Sequence, residues 1–124
     1  MARPHRVALK RVYAPVSPDD GRRVLVERLW PRGLRKAEAG VDLWPKEIAP
    51  SHALRRWFHE APEARWPVFQ DRYREELRAA PASTALVELH RLAQAGPVTL
   101  LFAARDQARN SAVVLKAVLE EVPG

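Results

Sequence analysis

Two short segments of the chain are apolar at almost every position, and both end abruptly in charged residues. They are residues 24–26, which open a predicted strand over 24–30, and residues 98–104, which form a second. Continuous apolar runs of this length are typical of strands covered on both faces, as in parallel sheets. Residues 6–13 alternate imperfectly and predict a further strand. Its direction stays open, because the intervening residues 14–23 are long for a hairpin and short for a helical crossover.

The central part of the chain has helical periodicity. Ser51 is a suitable N-cap for a short helix, and His59 near its end is a weak catalytic candidate. A longer helix is predicted over about residues 63–80, because apolar side chains recur at i, i+3, i+7 and i+11. These side chains are Trp66, Phe69, Tyr73 and Leu77. Of them, Tyr73 is expected to lie in the core with its hydroxyl group hydrogen-bonded.

Two further helices are predicted over about residues 83–94 and 107–122, and Asp106 is placed to cap the second. Because the chain has no linker, repeat or low-complexity tract, residues 1–124 are predicted to form one domain. The order of elements predicts an α/β fold with a small, mostly parallel sheet of three or more strands, flanked by helices on both faces. In such folds ligands bind beyond the carboxyl ends of the strands.

Composition excludes several function classes. The chain has no cysteine, which rules out disulfides, thiolate metal sites and thiol catalysis. Its histidines lack paired spacing, and it has neither a glycine-rich phosphate loop nor a G-x-S-x-G motif, so no metal and no cofactor are predicted. No apolar run reaches the roughly 20 residues of a membrane span, and no signal sequence is recognised. A soluble, cytoplasmic protein without membrane contact is therefore expected.

The formal net charge of +6 favours anionic partners. Guanidinium groups bind carboxylate and phosphate through two parallel hydrogen bonds. Arg28, Arg32 and Arg105 lie at or just past the ends of predicted strands, so they are predicted to meet at one edge of the sheet and hold a small anion. The alternative is structural: Arg28 or Arg105 pairs with a carboxylate such as Glu27 or Asp106 and ties strand ends together.

The other predicted site residues flank these arginines. Lys46 lies in an irregular loop that would fold over the same edge, and Trp30 offers a stacking surface for a base. Asp106 is the candidate general base, with the helix cap as its structural alternative. Asn110 is a candidate ligand-binding residue, with a bond to the same loop or a solvent-exposed helical position as its alternatives.

Segments spread over nearly the whole chain also carry a family resemblance. They are Asp20-Gly21, 23–33, 44–51, 54–58, Phe69, Arg72-Tyr73, Glu76-Leu77, 98–106 and Asn110. In these segments the chain resembles the YeaO-like family of small bacterial proteins, a domain of unknown function, which usually has Asp in place of Glu27. Related longer proteins carry cysteines after the last strand, where this chain has Ala103 and Ala104. The resemblance therefore implies the fold and the positions of unusual polar residues, but no reaction.

These features together predict a protein that binds a small anionic ligand, bearing a phosphate, nucleotide or carboxylate group, in an arginine-rich crevice. Whether hydrolase or transferase turnover follows is left open. The main alternative is a nucleic-acid-binding protein that uses its basic surface, including arginines of the helix over 63–80. A third interpretation is a non-catalytic interaction protein that self-associates through the apolar helix face 114–119. The sequence does not fix the oligomeric state.

Overall fold

Three short strands form one parallel sheet in the computed structural model, which describes residues 7–121. The strands are β1 (Val7–Arg11), β2 (Arg22–Leu25) and β3 (Val98–Phe102). β3 lies in the centre, and β1 and β2 each pair with it in parallel. The first strand, whose direction the sequence left open, therefore runs parallel to the second. Its predicted start at Arg6 lies outside the described residues.

Five α-helices complete the described part of the chain. They are α1 (Lys36–Ala39), α2 (His52–Glu60), α3 (Pro62–Glu76), α4 (Ala82–Ala95) and α5 (Ser111–Glu120). Single 3-10 turns lie at Pro18–Asp20 and Lys46–Ile48. Helices α2, α3 and α4 lie where the periodicity predicts them, so the α/β class is confirmed. The predicted end of the last helix at Val122 lies outside the described residues.

The start of α2 is held by the predicted cap. The Ser51 hydroxyl oxygen accepts a hydrogen bond from the Leu54 N–H at 3.2 Å. The Glu76 carboxylate at the end of α3 accepts hydrogen bonds from the Ser51 N–H at 2.8 Å and the Ser51 hydroxyl at 2.6 Å. The two helices are therefore joined at this corner by charge-assisted hydrogen bonds.

The two faces of the sheet are covered differently. Helices α2 to α5 pack on one face, where the larger core includes Val24, Leu100, Phe102, Phe58, Phe69, Leu89 and Leu115, with Trp57 and Trp66 at its margin. On the other face a small cluster of Val12, Leu25 and Leu101 is covered by Trp30, Leu34, Val41 and Trp44. We call residues 30–46 the loop layer.

The loop layer corrects the prediction that helices cover both faces of the sheet. Only one helical turn, α1, forms within it. Pro31, Gly33, Gly40 and Pro45 interrupt the segment too often for a longer helix. Trp30 and Trp44 supply the apolar surface that a helix would otherwise provide, and their rings meet edge to face with centroids 5.3 Å apart.

The apolar stripe of α3 is confirmed. Phe69, Tyr73 and Leu77 are buried and Trp66 is half-buried. The Tyr73 hydroxyl donates a hydrogen bond to the Ile48 carbonyl oxygen at 2.5 Å, so the expected core tyrosine with a bonded hydroxyl is present. Complete burial raises the pKa of Tyr73 well above its ordinary value. This tyrosine therefore stays protonated and structural.

The amino end of β2 is held by a buried ion-pair cluster. Arg23 Nη1 lies 2.5 Å from Asp20 Oδ2, and Lys10 Nζ lies 3.1 Å from the same oxygen. The other nitrogens of Arg23 donate to the carbonyl oxygens of Ala39 at 3.0 Å and Gly40 at 2.8 Å. Arg23 thereby joins β2 to the loop layer. Burial opposes ionisation of Asp20, but hydrogen bonds from its surroundings outweigh this effect and lower its pKa.

Strand β2 ends earlier than the predicted position 30. The Val26 N–H still donates to the Leu101 carbonyl oxygen at 3.1 Å. The next hydrogen bond between the two segments has a side-chain acceptor. The Glu27 carboxylate, not a backbone carbonyl, accepts the Ala103 N–H at 3.1 Å. The Glu27 carbonyl oxygen instead accepts the Trp44 indole N–H at 2.6 Å. The chain thus leaves the sheet at Glu27 and enters the loop layer.

Candidate functional site

A crevice of about 190 Å³ lies beyond the carboxyl ends of β2 and β3. Its polar lining residues are Glu27, Arg28, Arg55, His59, Arg109, Asn110 and Ser111. The aromatic rings of Phe58 and Phe69 line its apolar part. This is the edge at which open α/β sheets bind ligands, because loops and helix N-termini from neighbouring strands converge there.

Arg28 both lines the crevice and fixes one of its walls. Its Nε donates to the Pro50 carbonyl oxygen at 3.1 Å and its Nη2 to the Ala49 carbonyl oxygen at 2.8 Å. Its hydrogen-bond partners are therefore carbonyl oxygens, and it does not form the carboxylate pair that was the structural alternative. The guanidinium holds the segment that leads into α2 against the end of β2.

Arg55 and Arg109 bring two further guanidinium groups to the crevice, and the sequence singled out neither. Arg55 extends from α2, is half-buried, and has no hydrogen-bond acceptor among residues 7–121. Arg109 lies before α5, and its ion pairs within the described part of the chain are long, at 3.6 Å to Asp106 and 3.9 Å to Glu63. A cation without a protein acceptor in a partly enclosed space remains available to an external anion.

Glu27 is an acidic group within this basic crevice. Burial raises its pKa above the ordinary 4.5, although the Ala103 N–H and the charge of Arg55 act in the opposite direction. Its carboxylate forms no ion pair within 4.0 Å with any guanidinium among residues 7–121. From sequence, Glu27 was considered only as a tie for an arginine. The signal that Glu27 could line the crevice was its position, as a charged residue directly after three buried apolar ones.

We expect Glu27→Gln to stabilise the protein at neutral pH. The native state binds the Glu27 proton more tightly than the unfolded chain does, so ionisation costs folding free energy as pH rises from 4.5 through the raised pKa. Glutamine cannot ionise and still offers an oxygen to the Ala103 N–H. Urea unfolding at several pH values should show the variant to be more stable at pH 7, with the difference vanishing below the ordinary pKa. A variant less stable at pH 7 would contradict this expectation, because it would mean that the surroundings of Glu27 favour its ionised form in the folded protein.

His59 also lines the crevice and is neutral near physiological pH. His59 is exposed on its outer side, but its partial desolvation lowers its pKa, and the nearby positive charge of Arg55 lowers the pKa further. A neutral imidazole can accept one hydrogen bond and donate another. His59 therefore adds hydrogen-bonding capacity to the crevice without adding charge.

The amino end of α5 differs from its prediction. Asp106 Oδ1 accepts the N–H groups of Ala108 at 2.9 Å and Arg109 at 3.0 Å, which holds a separate turn. The helix begins only at Ser111, because Asn110 has an extended backbone and its side-chain oxygen accepts the Val113 N–H at 3.1 Å. The prediction of Asp106 as the helix cap was therefore wrong, and Asn110 is the cap.

The two polar residues of this turn have different surroundings. Asn110 is buried, lines the crevice, and donates from Nδ2 to the Asp106 carbonyl oxygen at 2.9 Å. The interpretation that Asn110 bonds this loop is therefore confirmed, and the solvent-exposed alternative is excluded. Asp106 is exposed, and hydrogen bonds from the Ala108 and Arg109 N–H groups lower its pKa. Such a carboxylate is a weak base at neutral pH, and its catalytic role stays a prediction.

The remaining predicted ligand-binding residues lie outside this crevice. Arg105 is exposed in the turn after β3. Trp30, Arg32 and Lys46 belong to the loop layer: the Trp30 indole N–H donates to the Leu34 carbonyl oxygen at 2.7 Å, and Lys46 Nζ lies 4.3 Å from the centre of the Trp44 ring. Arg32 is exposed. Arg28, Arg32 and Arg105 thus do not meet in this crevice, and the roles of the last two stay predictions.

Within residues 7–121, no helix is both long and apolar enough to cross a membrane.

Comparison with known proteins gives a consistent result. A family model described as "Inactive DUF488-N3 subclade" matches residues 6–122. An uncharacterised protein of Mycobacterium tuberculosis is 47% identical over 119 residues, which cover 96% of this chain and 98% of that protein. A protein described as uncharacterised protein YeaO of Escherichia coli is 40% identical over 109 residues, which cover 88% of this chain and 92% of that protein. No solved structure matches the chain.

Proposed function

Because the chain belongs to the YeaO-like family of bacterial proteins and matches a subclade described as inactive, we propose that its crevice binds a small anionic ligand without turnover. The observation that carries this proposal is the presence of Arg28, Arg55 and Arg109 around one small crevice. Guanidinium groups around one small space repel one another, and an anion bound between them would relieve that repulsion. A phosphate or carboxylate matches their donor geometry.

The amino end of α5 supports the same ligand class. The first N–H groups of an α-helix have no acceptor within the helix, and the helix dipole adds positive potential there. Asn110 and Ser111, at the start of α5, line the crevice. Asn110 satisfies the Val113 N–H, which leaves the N–H groups of Ser111 and Ala112 as further donors. Backbone and guanidinium donors together form a typical phosphate-binding arrangement.

Binding is favoured over catalysis by the position of Asp106. The sequence offered this residue as the general base, but it is exposed, holds a turn through its carboxylate, and lies outside the lining of the crevice. A general base must reach the proton that it removes. Glu27 and His59, which do line the crevice, are instead available as hydrogen-bonding groups for a bound ligand.

We expect Arg55→Gln to weaken the binding of inorganic phosphate, measured by calorimetry or by thermal shift. A hydrogen bond to a charged group contributes about 1.5–3 kcal/mol, so Kd should rise about 10- to 100-fold. Arg55 is the residue to change, because removing Arg28 would also leave the carbonyl groups of Ala49 and Pro50 without their donor. Arg56→Gln, at the exposed neighbouring position, is the matched control. Equal losses in both variants would overturn the proposal.

Nucleic-acid binding is the second candidate, and its support comes from the loop layer and the adjoining end of β1. Three cations there lie over aromatic rings: Lys46 over Trp44 at 4.3 Å, Lys36 over Trp30 at 5.9 Å, and Arg11 over Tyr13 at 5.1 Å. Cations interleaved with aromatic side chains are typical of surfaces that bind single strands. None of these cations forms an ion pair among residues 7–121.

The arginines in and after α3 give this second candidate less support than the sequence suggested. Arg65 pairs with Glu60 at 2.8 Å and Arg74 with Glu121 at 2.7 Å. Arg78, just after the helix, pairs with Glu75 at 3.2 Å. Arg72 forms no ion pair among residues 7–121, but its guanidinium packs 4.4 Å from the centre of the Trp57 ring. Adding a short oligonucleotide at two salt concentrations to the phosphate experiment separates the candidates. A thermal shift that salt erases and that Arg55→Gln leaves unchanged would favour the loop layer over the crevice.

The interaction-protein alternative loses its proposed surface. Val114, Leu115 and Leu119 of α5 are all buried in the core of this chain. The apolar face of this helix is therefore already covered by the sheet and by neighbouring helices. Self-association would need another surface.

A further inference from the structure

The crevice combines charges of both signs. Arg55 lines it with no protein acceptor among residues 7–121, and Glu27 lines it with one defined donor, the Ala103 N–H at 3.1 Å. The carboxylate accepts no second hydrogen bond from the described residues. Acid and guanidinium groups thus share a small space without pairing.

We propose that the ligand of this crevice is dipolar, with an anionic group that the arginines hold and an amine that Glu27 holds. This inference rests on the anion site proposed above and narrows its ligand class. Amino acids and aminoalkyl phosphates have this chemistry. A phosphate or carboxylate without an amine does not satisfy both ends of the crevice.

The Glu27 carboxylate loses part of its hydration in the crevice. Removing a carboxylate from water is costly unless hydrogen bonds or an opposite charge replace the lost hydration. One backbone N–H replaces part of it, and no guanidinium of residues 7–121 comes within 4.0 Å of the carboxylate. A ligand ammonium would supply the missing donor and the missing positive charge together. The bound ligand and the half-buried Glu27 carboxylate would then stabilise each other.

The same acid would discriminate against simple anions. A ligand that carries only negative charge would place that charge near the Glu27 carboxylate, and like charges in a partly buried site repel strongly. Specificity commonly arises from such an unfavourable element combined with a favourable one. Glu27 would therefore weaken the binding of the amine-free analogue, and the arginines would bind the anionic group that both analogues share.

The size of the crevice limits the ligand to a few heavy atoms. Its volume of about 190 Å³ is below the roughly 300–1,000 Å³ of sites for drug-sized molecules. The rings of Phe58 and Phe69 leave an apolar wall against which a short carbon chain can pack. A two- or three-carbon spacer between amine and anion fits these limits.

The experiment compares matched ligands that differ by one amine. Phosphoethanolamine is paired with ethyl phosphate, and β-alanine with propionate, and Kd is measured by calorimetry. The wild type should bind the amine-bearing member of at least one pair about tenfold or more tightly, as expected for a charge-assisted hydrogen bond. Glu27→Gln should abolish this preference, because the amine-bearing member binds less tightly and the amine-free member binds equally or more tightly. Arg55→Gln should weaken both members.

Controls separate this inference from the anion site on which it rests. Glu47→Gln, at an exposed position outside the crevice, should leave every Kd unchanged. If the wild type binds both members of a pair equally and Glu27→Gln changes neither, the dipolar ligand is wrong and the anion site stands. If the wild type binds no member of either pair, the anion site itself fails, and the dipolar ligand fails with it.

Discussion

Arg23→Ala should lower the free energy of unfolding by about 3 kcal/mol, the lower end of the 3–5 kcal/mol typical of removing one partner from a buried ion pair. The Arg23 side chain donates to Asp20, Ala39 and Gly40, and it is 3% exposed. Its loss leaves two carbonyl groups without their donor. Lys10 still pairs with Asp20, which keeps the loss from reaching the upper end of the range. Urea unfolding followed by circular dichroism measures the change.

The adjacent residue provides the control for this variant. Arg22 has the same charge and the same strand but is exposed, so Arg22→Ala should change stability by less than about 0.5 kcal/mol. Similar losses of stability in the two variants would show that Arg23 acts through its positive charge alone and not through its buried hydrogen bonds. In that case Asp20, Arg23 and Lys10 would not be the connection between β2 and the loop layer.

Gly21→Ala should destabilise the fold by about 3 kcal/mol or more, because two separate costs add. The backbone at Gly21 has φ 63° and ψ −137°, a conformation that L side chains rarely adopt. A Cβ atom there would also lie 2.3 Å from the Pro97 carbonyl oxygen. That oxygen accepts the Arg22 N–H at 3.0 Å, so it cannot move away without loss. Urea unfolding again gives the magnitude.

Gly33→Ala separates the two costs. Gly33 has a similar positive φ of 77°, but no heavy atom of residues 7–121 lies within 4 Å of an added Cβ. Only the backbone cost should remain there, about 1 kcal/mol. Equal losses at Gly21 and Gly33 would mean that the contact with Pro97 relaxes freely and that the conformation alone requires glycine.

The sequence predicts the sheet and most helices because their signals are local. The apolar run of β3 and the spacing of Phe69, Tyr73 and Leu77 each follow from burial on a regular element. The rule that ligands bind at strand carboxyl ends points to the same edge of the sheet, where Arg28 lines a crevice shortly after the end of β2. That a ligand binds there stays a prediction. These inferences need no knowledge of which segments meet in space.

The other crevice residues depend on contacts between distant segments. Arg55 follows Leu54 on α2 and precedes the exposed Arg56, and periodicity alone does not distinguish a crevice cation from a solvent-facing one. The start of α5 was misplaced because Asp106 and Asn110 are both good caps, and only the turn between them decides which one is used. Trp30 and Lys46 were assigned to the edge of the sheet, although they belong to a layer that covers one of its faces.

Two tryptophans lie on each face of the sheet, so tryptophan fluorescence can report on the two faces separately. Trp57 and Trp66 pack at the helical core, and Trp30 and Trp44 pack on the opposite side. Replacing either pair with phenylalanine leaves intrinsic fluorescence that comes from one side of the sheet alone. Emission from Trp30 and Trp44 would then report on the unfolding of the loop layer and not on that of the helices. No attached dye is needed.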